Sequence, residues 1–176
     1  ATSDLTLHIA TPSRADRVHA EGRVLRRGAS TVVLEVDLSE REGATPYAIA
    51  TLGFAILPRR DVNPVIERKA AGKMAMALPD SGFESHLLDT IGLEVVDAAA
   101  GAVSLPMSPY VQNSFGALQG GMISLLADVA AEHALGMTPV DLQMTYLELG
   151  KVGPITTSAR VDLLTPTHGN ARGEVR

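Results

Sequence analysis

Only one stretch of this chain reads as a strong helix, Gly121 to Leu135, with Gly136 placed to close it. Nearly everything else follows the two-residue period of half-buried strands. Leu5, Leu7 and Ile9 alternate with Thr6 and His8, and strands are also predicted over Val18–Leu25, Thr31–Leu38 and Tyr47–Leu57. Turn sequences such as Arg27-Gly28-Ala29-Ser30 and Glu42-Gly43-Ala44-Thr45-Pro46 separate them, so residues 1–60 read as an antiparallel meander. Prolines at 58, 64 and 79 break the pattern, and residues 61–82 read as a linker with a short helix over Arg68–Met76. Residues 83–176 form the next unit: two strands within Leu93–Met107 that meet near Ala98–Gly101, the helix, then Val140–Leu147 and Ile155–Leu164.

A weak internal repeat links the two ends of the chain. Asp4-Leu5-Thr6-Leu7 is echoed by Asp141-Leu142-Gln143-Met144, an offset of 137 residues. Arg23-Val24 matches Arg160-Val161 at that offset, and Glu35-Val36 matches Glu174-Val175 if the second turn is two residues longer. The expectation is two copies of one unit, the first missing its front half and the second its back half. Both ends of the chain, which starts without Met, are expected to be trimmed.

Composition removes several classes of function. A formal charge of -5 argues against nucleic acid, which wants a basic surface. Without cysteine there is no disulfide, thiolate nucleophile or zinc-thiolate site, and no metal-ligand spacing stands out. No apolar run approaches the roughly 20 residues of a membrane span, and Ala1 to Ile9 does not resemble a signal peptide. A cytoplasmic protein is expected. With 3% aromatics, a pocket must be lined by aliphatic side chains, which favours aliphatic acyl groups over aryl ones.

The informative chemistry lies between Asn113 and Asp128. Gly120 and Gly121 at a helix start leave first-turn N–H groups exposed where the backbone can approach a ligand. Such donors, at the positive end of the helix dipole, suit a carbonyl oxygen that becomes negative. Asp128 stands among Leu125, Leu126, Ala127, Val129, Ala130 and Ala131, a costly setting for a carboxylate without a task. It lies seven residues beyond Gly121, on the same face but about 10 Å along the axis. A carbonyl held at Gly121 is therefore far from the acid of its own helix. An antiparallel second helix would bring its acid to that carbonyl, so the site is expected to be shared between two copies.

Asn113, Gly116, Gln119, Gly120, Gly121 and Asp128 together resemble the motif of hotdog thioesterases of the phenylacetyl-CoA thioesterase group. Val103-Ser104-Leu105-Pro106-Met107 resembles that family's early strands, and Phe54-Ala55-Ile56-Leu57-Pro58 its closing one. The resemblance implies an α+β hotdog fold, a long central helix wrapped by a curved antiparallel sheet, expected here as two tandem incomplete copies. It also implies an acyl-CoA thioesterase that is a homo-oligomer, with no membrane or nucleic-acid partner and no cofactor beyond the CoA of its substrate. Asp128 would be nucleophile or general base, Gly121 N–H would polarise the thioester carbonyl, and Asn113 would position thioester or water. Gln119 stands where many members have His, so it can place a group but cannot titrate. Gly120 and Gly116 would shape the substrate-binding loop. Thr138 is the nearest counterpart of a water-orienting hydroxyl, beside Pro139. Arg59 and Arg60 are candidates for the CoA phosphates. No matching Asn, Gly-Gly and Asp set occurs in residues 1–60.

Other residues weigh less. His168-Gly169-Asn170 reads as a hairpin turn, and His133 points away from Asp128. Glu84, Ser85 and His86 are adjacent in sequence, whereas triad members normally meet from separate elements. The competing function is a non-catalytic hotdog module that binds acyl-CoA as a sensor or assembly piece.

Overall fold

The computed structural model describes residues 1–15, 17–58, 85–113 and 116–176. Arg59, Arg60, the linker at 61–82 and the short helix at 68–76 lie outside the described residues. The first four strands are β1 (Thr2–Ile9), β2 (His19–Arg27), β3 (Thr31–Ser39) and β4 (Ala48–Ala55). A short helix α1 (Leu87–Ile91) follows, then β5 (Glu94–Asp97), β6 (Ala102–Leu105), α2 (Gly120–Leu135), β7 (Asp141–Thr145), β8 (Ile155–Leu164) and β9 (Gly169–Val175). This is an α+β chain of antiparallel sheets and one long helix.

Two strand orders are recorded, β2-β3-β4-β1-β7 and β5-β6-β8-β9. The meander expected for residues 1–60 holds only for β2 to β4. β1 joins the far side of β4, so the β1–β2 connection crosses the sheet. Local alternation sets which residues are strands but not which neighbour each one takes. Cross-strand partners point to one face, and Leu5, Leu52 and Leu34 fall in one row, with Leu7, Ala50 and Val36 in the next. That face is apolar. β7 extends both rows across β1, with Met144 opposite Leu5 and Leu142 opposite Leu7.

The 137-residue offset recurs in the hydrogen bonding. Val24 pairs with Leu34 and Val161 with Ala171, and each hairpin then bulges one residue further on. The turns correspond as well: Gly28 N–H donates to Thr31 O, and Thr165 N–H to His168 O, both at 2.8 Å. Arg23 therefore lies opposite Glu35 and Arg160 opposite Arg172, which corrects the match of Glu35 to Glu174. The second turn is not two residues longer. The shared bulge and turn fix one register for both hairpins, and the Glu-Val recurrence lies outside it. β1 and β7 meet about a local two-fold axis: Thr6 pairs with Gln143, its own counterpart at the same offset. Flanking bonds obey the axis, Ile9 N–H to Val140 O at 2.7 Å and Tyr146 N–H to Ser3 O at 2.8 Å.

α2 packs against β6, β7, β8 and β9. Leu126, Val129 and Ala130 recur at helical spacing and are buried with Ile91, Val103, Leu105, Val111, Leu118 and Ile155. Gly136 closes the helix in a left-handed conformation, its N–H donating to Glu132 O. Beneath the helix, Thr157 Oγ1 donates to Gly101 O at 2.7 Å and accepts from Val103 N–H at 3.0 Å. Thr157→Val keeps the shape and strands both backbone groups. A loss of about 2–3 kcal/mol is expected, read as a lower urea midpoint at unchanged slope.

Candidate functional site

The loop before α2 is built inward from burial. Val111, Ala117 and Leu118 are buried, and Gln112 forms an isolated bridge with Leu118. Between them Asn113 acts as a turn residue: its side-chain carbonyl accepts from Ala117 N–H at 3.2 Å, and its backbone carbonyl from Gly116 N–H at 3.0 Å. Gly116 takes a φ of 69°, the left-handed conformation that closes the turn. Gln119 is the N-cap residue, extended and exposed, with its side chain making no capping bond. Its backbone carbonyl accepts from Met122 and Ile123. Asn113, Gly116, Gln119, Gly120 and Gly121 are thus brought together at one helix end.

Gly121 is the open point of this end. A Cβ built on it meets nothing within 4 Å, and among the described residues its N–H has no hydrogen-bond partner. An incoming acceptor can reach that donor directly. Behind it, the Tyr146 ring packs on Gly120, with Tyr146 Oη 2.9 Å from Ser124 Oγ and 3.3 Å from Gly120 O. Ser124 Oγ also donates to Gly120 O, at 3.3 Å. Sequence reading missed Tyr146 and Ser124, 22 residues apart, because no local pattern announces their contact.

Asp128 lies two turns further along α2, as its spacing predicts, and is half-buried. Its cleft is lined by Leu7, Ile9, Pro139, Val140, Asp141 and Leu142, so β1 supplies one wall. The space there is about 10 Å³, room for a water molecule and not for a thioester. Burial raises the Asp128 carboxyl above its ordinary range, and the charge of Glu132 one turn away adds to the shift. Folded Asp128 therefore holds its proton more tightly than unfolded Asp128. Stability falls as pH rises from the unfolded value through the folded one, and the penalty is complete above both. Asp128→Asn is expected to melt higher than wild type at pH 8, with the difference vanishing at about pH 3, below the ordinary Asp range.

The remaining predicted residues sit elsewhere. Thr138 is exposed and lines a surface concavity with Glu132, His133, Gly136 and Met137, while its neighbour Pro139 lines the Asp128 cleft. Within this chain Asp128 and Gly121 do not meet. α1 and α2 are the only helices among the described residues, and α1 belongs to the core beneath α2. His168 lies in the β8–β9 turn, where Thr165 binds it through both N–H and Oγ1.

No protein-family model matches the chain, and no curated protein matches it. Solved structures do resemble it. One is a protein from Thermobifida fusca YX provisionally named thioesterase II, with a TM-score of 0.59 and 17% identity over 99% of this chain and 73% of that one. Another is the tesB protein of Mycobacterium avium subs paratuberculosis, with a TM-score of 0.59 and 10% identity over 99% and 71% of the two chains. A third is a conserved protein of unknown function with a hot dog fold from Alicyclobacillus acidocaldarius, at 0.51 and 15% over 99% and 72%. At such identities the likeness is one of fold: this chain is an α+β protein with the hotdog arrangement of antiparallel sheet around a long helix.

Proposed function

We propose that the protein hydrolyses acyl-CoA thioesters at the seam between two hotdog units, one ending within residues 1–60 and the other formed by 83–176. The observation that carries this reading is the wall of the Asp128 cleft, which comes from β1, the strand of the opposite unit. The local two-fold axis extends it. Ile9 of β1 is the image of Tyr146, and Tyr146 packs on the glycine start of α2. The counterpart of that glycine start therefore belongs beside Ile9, facing Asp128. Each site then joins the acid of one unit to the amide donor of the other.

In that site a Gly121-type N–H holds the thioester carbonyl, and Asp128 either removes a proton from water as its oxygen attacks, or attacks the carbonyl carbon itself. The tetrahedral oxyanion collapses, the C–S bond breaks, and the CoA thiolate takes a proton, from Asp128 in the first route and from solvent in the second. In the second, water then cleaves the acyl-Asp128 anhydride, which frees the acid and restores the carboxylate. Asn113 and Gln119 place the substrate, with Gly116 and Gly120 shaping the loop it enters. Arg59 and Arg60 are proposed for the CoA phosphates, and Thr138 for the water. The name of the T. fusca structure supports the class of reaction. The lack of cysteine fits a cytoplasmic setting, and among the described residues no helix is long and apolar enough to cross a membrane. The assembly needs no cofactor beyond the CoA of the substrate.

The narrowness of the Asp128 cleft favours one second reading, a hotdog module that binds acyl-CoA without turning it over. Release of free CoA thiol from a panel of aliphatic and aryl acyl-CoAs decides between them. Turnover that depends on Asp128 supports the thioesterase. Tight binding without release, indifferent to Asp128, supports the binding module.

A further inference from the structure

The Gly120 carbonyl and the Gly121 N–H belong to one peptide group, and the first is where Tyr146 and Ser124 converge. Two hydroxyl protons serve three oxygen contacts here. If Tyr146 donates to Ser124 Oγ, Ser124 donates to Gly120 O; if Tyr146 donates to Gly120 O, Ser124 donates to Tyr146 Oη. Either way the carbonyl receives one hydroxyl proton. We propose that Tyr146, acting with Ser124, is a positioning residue that fixes and polarises the Gly120–Gly121 peptide so that its N–H is a strong, aimed donor. The catalytic consequence rests on the thioesterase reading.

The need for such a clamp follows from the sequence at this point. Two glycines give the peptide between them little preferred orientation, and it opens a helix whose first turn lacks half its bonds. Gln119, the N-cap residue, makes no capping bond that would steady it. The Tyr146 ring lies 3.7 Å from a Cβ position on Gly120, and the strand end that carries it is bonded to β1 through Tyr146 N–H and Ser3 O. The peptide is thus referred to the sheet as well as to its own helix. A hydrogen bond accepted by a carbonyl also strengthens the N–H at the other end of the same amide. Ile9, the image of Tyr146 across the axis, has no hydroxyl and cannot act in the same way.

Tyr146→Phe tests the proposal, since it keeps the ring and removes the hydroxyl. On an acyl-CoA that the wild type turns over, kcat is expected to fall roughly tenfold with KM unchanged. That is less than the 10²–10³ expected for losing an oxyanion donor outright. In Tyr146→Phe the Ser124 hydroxyl can still donate to Gly120 O, so Ser124→Ala in that background is expected to lower kcat further and to move the Gly121 N–H proton further upfield. A second readout needs no turnover. In amide NMR spectra of the whole chain, Tyr146→Phe is expected to move the Gly121 N–H proton upfield and speed exchange at Ser124 about tenfold, leaving Val129 and Ala130 unchanged. An unmoved Gly121 resonance with unchanged exchange at Ser124 overturns the proposal whatever the activity. A change confined to KM also overturns it. If the amide shifts appear in a protein that releases no CoA, the clamp stands and the thioesterase reading falls.

Discussion

Asp128→Ala is expected to lower CoA release roughly 10²–10⁴-fold, the range that a positioned acid or base contributes, while the protein stays folded. The expectation of a folded variant comes from the setting. Asp128 makes no hydrogen bond or ion pair among the described residues, and its carboxyl is raised by burial, so its removal takes away a cost rather than a support. Loss of turnover together with equal or higher thermal stability separates a working acid from a structural one. The acidic limb of the wild-type pH profile should lie above the ordinary carboxylate range, because the base must be ionised and burial opposes that. Turnover in Asp128→Ala equal to that of the wild type would remove Asp128 from the mechanism.

A large effect on folding is expected at Gly101. This residue turns the β5–β6 hairpin with a φ of 55°, pressed between α2 and β8. A Cβ there would stand 2.5 Å from the Ala159 Cβ and 2.8 Å from the Ala130 carbonyl oxygen. Neither neighbour is the end of a flexible side chain, so backbone must move. Left-handed strain of about 1–2 kcal/mol and overpacking of about 1–3 kcal/mol add, and Gly101→Ala should lose about 2–5 kcal/mol. Against a total of about 5–15 kcal/mol for a typical domain, that is enough to push much of the chain into the insoluble fraction. Gly116→Ala supplies the control: its φ is 69°, but nothing lies within 4 Å of the added carbon. Only the backbone strain remains there, and urea melts of the two variants should differ by the overpacking share. Equal losses would mean that the helix and strand can part to admit the methyl.

Much of the architecture was legible where local chemistry decides it. Gly120-Gly121 and Gly136 bracket α2 because glycine opens and closes helices for steric reasons, and the pattern in β3 and β8 places those strands to within a residue, while β1 starts three residues before its alternation does. Strand order was not legible, since the crossing of β1 over to β4 depends on pairs as far apart as Thr2 and Phe54. α1 escaped notice because five residues, Leu87–Ile91, show too little periodicity. At the candidate site, the grouping of Asn113 with the glycine pair followed from sequence. The identity of the wall facing Asp128 did not, because it comes from Leu7 and Ile9 at the other end of the chain. An offset of 137 residues was visible in the sequence, but only hydrogen-bond register could show that both hairpins share it through the bulge.

The axis between β1 and β7 also limits which side chains the seam can hold. A residue standing on such an axis faces the position that corresponds to it, so a charge present at both would be opposed by a like charge. The two residues in that place, Thr6 and Gln143, are both neutral. Away from the axis the restriction lifts, because unlike positions face each other twice, once on either flank. Two residues away on one flank these are His8 and Asp141, which pair, and on the other Asp4 and Thr145, where the histidine has no equivalent. The junction is thus symmetric in its backbone and lopsided in its electrostatics, which gives the two ends of a ribbon built on one register separate chemical identities.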